Sequence, residues 1–149
     1  MPKIDLEAIE AISKTTYPMP YAADMGGRSF RRLAPATGLT DFGASHVTLK
    51  PGAISSQRHW HEAEDELVIM LSGEAVLVEN ETETVLRAGD CAVFAKGVAN
   101  GHHLVNRSAG DCVFVAVGSP PRGTCHYSDI DLVWDGANGR YTHKDGTPY

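Results

Sequence analysis

The chain has 149 residues, 42% hydrophobic and 21% charged, which suits one folded domain and excludes wholesale disorder. Thirteen lysines and arginines against nineteen aspartates and glutamates give a net charge of -6. That balance excludes the basic face that a nucleic-acid backbone or an anionic membrane surface requires. No apolar run nears the roughly 18 residues of a transmembrane helix. The stretch MPKIDLEAIE carries acidic residues where a signal peptide would carry positive charge, so a cytoplasmic location is expected. Cys91, Cys112 and Cys125 are an odd count without C-x-x-C spacing, and they read as small buried thiols.

Residues 1–40 read as an arm lying on the main body. Asp5 is placed to cap a short helix with Leu6, Ile9 and Ile12 on one face, which Pro18 would stop. Arg28, Arg31 and Arg32 follow, and then APATGL, which reads as a connection. Residues 41–118 form the core segment. Within it short β-prone runs (HVTL, ELVIML, AVLVE, ETVL, CAVFA, HHLV, CVFVAV) alternate with turn material such as PGA, SGE, RAGD and NRSAGD. That texture predicts an all-β sandwich or barrel. ELVIML and CVFVAV are continuously apolar, so both are expected to be covered on both faces. AGDCAVF and AGDCVFV resemble each other, either as a duplication or, more simply, because Gly-Asp closes a turn before a β-prone run. Residues 119–149 read as a looser C-terminal extension.

Four of the seven histidines fall in two tight groups. In RHWHEAEDE, His59 and His61 are two apart, so an extended segment points both imidazoles to one side. Trp60 between them must point away. Glu66 opens ELVIML and shares its face with Val68 and Met70. A carboxylate on an apolar face needs a partner, and a metal ion is a natural one. In GHHLVN, strand alternation lets only one of His102 and His103 face inward, and His102 shares its parity with Leu104 and Asn106. Three imidazoles and a carboxylate suit Zn, Fe, Mn, Ni or Cu and not Ca or Mg. Arg58 and Lys96 flank these segments as candidates for holding an anionic substrate, although a solvated surface charge is the plainer reading of each. Val68 and Met70 would line the pocket behind the metal. Asp129 and Asp131 would share a face if extended, but a solvated turn explains them as well.

These spacings resemble those of the cupin superfamily. Its first motif runs G, five residues, H-x-H, three or four residues, E, six residues, G. Here Gly52 is followed by AISSQR, His59-Trp60-His61, EAED, Glu66, LVIMLS and Gly73, with one extra residue before the histidines. Its second motif runs G, five residues, P-x-G, two residues, H, three residues, N. Here Gly89 is followed by DCAVF, Ala95-Lys96-Gly97, VANG, His102 and, four residues on, Asn106. Ala95 stands in place of the proline, and the loop before the histidine is two residues longer.

The resemblance implies a jelly-roll β-barrel holding a divalent transition metal (Zn, Fe, Mn or Ni) on His59, His61, Glu66 and His102. It also implies a homodimer, with the arm packed across the partner. Single-domain bacterial cupins of this kind are similar to sugar-phosphate isomerases, which implies an isomerase or epimerase acting on a small polar metabolite. An Fe(II)-dependent dioxygenase and a non-catalytic binding or sensor module are the alternatives that the family leaves open.

Overall fold

The structure, a computed structural model, describes residues 3–149. The strands are β1 (Arg28–Arg32), β2 (Gly43–Leu49), β3 (His59–His61), β4 (Glu66–Ser72), β5 (Glu74–Val78) and β6 (Glu83–Arg87). They continue as β7 (Cys91–Phe94), β8 (His103–Val105), β9 (Cys112–Gly118), β10 (Thr124–Tyr127), β11 (Val133–Asp135) and β12 (Arg140–Thr142). One sheet has the order β1-β2-β9-β4-β7, a second β6-β5-β8 and a third β12-β11-β10-β3. The second and third are joined by an antiparallel bridge between His59 and His102, whose backbones exchange hydrogen bonds of 3.1 and 2.9 Å. They thereby form one layer opposite the five-stranded sheet. This is the jelly roll expected, built as a sandwich and not as a closed barrel.

The core lies between the layers. Leu49, Met70, Cys112 and Phe114 from the five-stranded sheet meet Ala75, Leu77 and Leu104 from the other side, all but lost to solvent. Burying a side chain of this size contributes about 1.5–3 kcal/mol. Strand alternation sets which residues take part. On β4, Val68 and Met70 are buried while Leu71 is 48% exposed. ELVIML is therefore covered on one face only, and CVFVAV likewise buries Cys112 and Phe114 while its other face stays partly open.

The two ends of the chain differ from their sequence reading. Asp5 does cap a turn, accepting from the Glu7 backbone N–H at 3.1 Å, but the helix is one 3-10 turn over Leu6–Ala8. Ile12 is instead bridged in extended conformation to Phe30. APATGL contains a helical turn, α1 (Leu33–Thr37), ended by Gly38 at φ 75°. Residues 28–32 form the edge strand of the main sheet. The extension supplies β10 to β12, and β10 pairs directly with β3. A second core unites both ends. Cys125, Tyr127 and Leu132 pack against Tyr17, Tyr21, Trp134 and Tyr141, with Tyr17 edge-on to Tyr127 at 5.5 Å. Strands of three or four residues carry too little periodicity to be read locally. No helix among the described residues is long and apolar enough to cross a membrane.

Candidate metal centre and its cavity

Three short segments bring the polar cluster together. β3 is extended, so His59 and His61 share a face, and Trp60 turns outward to stack on His126 at 4.4 Å. The His59–His102 bridge places two directly opposed residues on the same face of an antiparallel pair. Glu66 enters from β4 across the sandwich. Its Oε2 lies 3.0 Å from His102 Nε2, 3.5 Å from His61 Nε2 and 3.7 Å from His59 Nε2. Donor atoms of His59, Glu66 and His102 all lie within 4.8 Å of one another.

The surrounding structure aims the rings. His59 Nδ1 lies 2.9 Å from the Gln57 carbonyl, to which it donates, and 3.2 Å from the Ser56 hydroxyl; this leaves Nε2 for the cluster. His102 stacks face to face on Phe94 with 3.5 Å between ring centroids. His103 points the other way, with Nδ1 2.9 Å from the Ser56 carbonyl. Burial lowers the pKa of both His102 and His103, so each favours the neutral ring. At Glu66 burial opposes ionisation, but hydrogen bonds from His102 and His59 and nearby imidazole charge hold the carboxyl well below its usual range. At His61 burial disfavours the charge, yet the adjacent Cys125 thiol, Glu64 at 3.5 Å and Glu66 raise its pKa to about 10.

The donor set fits a transition metal, since imidazole nitrogens and one carboxylate oxygen converge on one region. The Nδ1 atoms of His61 and His102 are buried without a hydrogen-bond partner. A further donor, not anticipated from sequence, lies alongside. Cys125 is directly opposite His61 in the β10–β3 pairing, and its thiol forms a second group within 4.8 Å with His59 and His61. The alternation in TCHY puts Cys125 and Tyr127 on one face, but nothing local says which strand they oppose.

The cluster forms part of the wall of a cavity of about 240 Å³ inside the sandwich, lined also by Arg28, Ser45, Ser55, Ser56 and Phe94. Val68 lines it, whereas Met70 lies deeper in the core at 1% exposure. Arg58 does not line it. Its guanidinium is engaged by Asp129 at 2.8 and 2.5 Å and by Asn80 at 2.7 Å. Lys96 is exposed on the loop after β7, its backbone N–H donated to Asp65. That loop, the longer one in this sequence, is tied down where the Gly97 N–H donates to the His61 carbonyl at 2.8 Å. Asp131 pairs with His143 at 2.8 Å, a partner different from Asp129's. Cys91 is exposed, while Cys112 and Cys125 are buried; all three are free.

The cupin domain family matches residues 45–118. A sugar phosphate isomerase of the cupin superfamily from Silicibacter pomeroyi is 44% identical over 99% of this chain and 96% of its own, with a TM-score of 0.93. The chain belongs to the cupin superfamily. Two other solved structures share its fold at lower identity. A protein of Acidithiobacillus ferrooxidans proposed to be a sugar phosphate isomerase is 24% identical over 77% of this cupin and 74% of its own chain, with a TM-score of 0.72. The polyketide cyclase RemF of Streptomyces resistomycificus is 17% identical over 87% of both chains, with a TM-score of 0.70. No curated protein matches this cupin.

Proposed function

We propose that this cupin is a metal-dependent isomerase or epimerase of a small sugar phosphate, with His59, His61, Glu66 and His102 as the metal ligands. The observation that carries the reading is the convergence of three imidazole Nε2 atoms on Glu66 Oε2, with His59, Glu66 and His102 at the wall of a cavity and His61 behind them. The substrate class is supported by the 44% identity to the Silicibacter pomeroyi sugar phosphate isomerase over nearly the whole of both chains. A divalent metal in this cluster supplies Lewis-acid polarisation of a substrate carbonyl or hydroxyl oxygen. The chain's own residues do the rest. Gln57 and Ser56 fix the His59 ring, Phe94 supports His102, and Val68, Phe30, Phe114 and Leu104 keep the chamber apolar. Ser45 also lines the chamber and offers a hydroxyl to a polyhydroxylated ligand, while Ser55 Oγ accepts from the Leu104 N–H and Ser56 Oγ lies at His59. The free thiols accord with a reducing, cytoplasmic setting.

The test is a metal analysis of the purified protein, joined to a turnover screen. We expect about one transition metal per chain and interconversion of an aldose phosphate with a ketose phosphate or an epimer, without oxygen uptake. Oxygen consumption with bound Fe(II) would move the assignment to a dioxygenase. Metal binding without turnover of any sugar phosphate would move it to a binding module.

A further inference from the structure

Arg28 lies in the arm, outside both sequence motifs, yet its side chain reaches the cavity that holds the histidine cluster. β1 pairs Arg28 with Leu49, Phe30 with Val47 and Arg32 with Ser45. Leu49 and Val47 point into the sandwich, so Arg28 and Phe30 share the inward face. The guanidinium makes one hydrogen bond, from Nη1 to the Ser55 carbonyl at 2.9 Å, and its Cζ lies 5.2 Å from the Phe30 ring centroid. Its Nε is buried and has no hydrogen-bond partner.

The other arginines near the cluster or on this strand have different surroundings. Arg32 shares the face of Arg28 and lies 5.7 Å from the Phe30 ring centroid, but it is exposed at the strand end and does not line the cavity. Arg31, on the opposite face of β1, pairs with Glu7 at 3.0 Å, and Arg58 pairs with Asp129 at 2.5 Å. Arg28 has no carboxylate within 4.0 Å among the described residues. Burial lowers its pKa, but a guanidinium does not lose its proton in a protein. Arg28 is half-buried, and a charge drawn partly out of water without a counterion carries a cost that an arriving anion offsets. The guanidinium fork matches phosphate and carboxylate oxygens, and Arg28 keeps N–H groups free to present it. Ser45 and Ser55 line the same chamber with neutral hydroxyls. The volume of about 240 Å³ admits a small metabolite.

We infer that Arg28 is the anion-binding residue of the cavity, seating the phosphate or carboxylate of a small substrate whose other end faces His59, Glu66 and His102. The inference rests on the reading of this cavity as the reaction chamber and not on isomerase chemistry.

The experiment is calorimetric titration of the full-length, metal-loaded protein with inorganic phosphate and, separately, with acetate. Wild type is compared with Arg28→Ala and Arg28→Lys at equal metal content. Arg28→Ala is expected to weaken binding of the preferred anion at least tenfold, while Arg28→Lys retains part of it as a point charge without the fork. The stronger of the two probes names the anion. Arg28→Lys keeps the positive charge and most of the side chain, so it reports even if the alanine variant fails to fold. Equal affinity in wild type and Arg28→Ala, or no binding of either probe by wild type, would overturn the assignment. Arg28-dependent phosphate binding in a protein that turns over no sugar phosphate would uphold it while defeating the isomerase reading.

Discussion

His102 and His103 are chemically identical neighbours, and only their direction separates them. His102 is bridged to His59, packed on Phe94 and 3.0 Å from Glu66, whereas His103 is held at the Ser56 carbonyl on the other side of the strand. His102→Ala is therefore expected to strip the metal, and His103→Ala to cost about 10- to 100-fold in affinity at most. Metal retained by His102→Ala and lost from His103→Ala would reverse the register of this strand. His61 makes a second prediction. Its pKa of about 10 means that the metal-free ring is charged at neutral pH, and a metal must displace that proton. A raised histidine pKa gives stability that is fully present below the unfolded value of about 6.5 and fades as pH rises toward 10. Affinity for zinc is thus expected to tighten about tenfold per pH unit between pH 7 and 9, with about one proton released per ion. Calorimetry in buffers of different protonation enthalpy measures both. A flat pH profile would show that His61 is already neutral.

Turns and strand ends carry the parts of this fold that local sequence can specify. Gly73, the last residue of the first motif, joins β4 to β5 at φ 72°, and a Cβ there would lie 2.5 Å from the Asp111 carbonyl oxygen. Left-handed backbone and backbone collision together predict that Gly73→Ala destabilises the protein by about 2 kcal/mol or more, read as a lowered urea midpoint. A midpoint unchanged from wild type would mean that the turn can rearrange. The same locality explains what could be read in advance. His59, His61 and Glu66 follow from alternation on short extended segments, and Gly73 and Gly89 from turn chemistry, because each is decided within a few residues. Arg28 and Cys125 were not legible as cavity residues. Arg28 acquires its inward direction by pairing with Leu49, and Cys125 meets His61 only because β10 lies along β3. Those contacts join segments remote in sequence, and no periodicity within RSFRR or TCHY names the partner strand.

At the scale of the whole molecule, the five-stranded sheet has one face in the core and one face that the described residues leave partly exposed. Its register sets Val93, Leu67, Val117 and Ala44 in one outward row and Cys91, Ile69, Val115 and His46 in the next. Val93 is 76% exposed, Leu71 48% and Phe42 42%, an unusual concentration of apolar side chains for a sheet facing water. Of the arm, Glu7 and Ile9 reach the outward-facing Arg31 at the β1 edge, and Ile12 bridges Phe30, while Ile4, Leu6, Ile9 and Ile12 stay only half-buried. We infer that a second copy of the chain packs on this face, which would restore the double coverage that the continuous apolar runs of β4 and β9 call for. A stable interface of this kind needs on the order of 1,000 Å² of buried surface, within the reach of a sheet face of this width. Light scattering at micromolar concentration is expected to give twice the 16.0 kDa chain mass. Val93→Glu on the edge strand β7 combined with Leu71→Glu near the end of β4 places two charges on this face and is expected to yield a folded monomer, since exposed substitutions shift stability by only about 0.5 kcal/mol where no partner is involved. A wild-type monomer would remove the second copy from this face, and a dimer that survives both charges would move it to another surface.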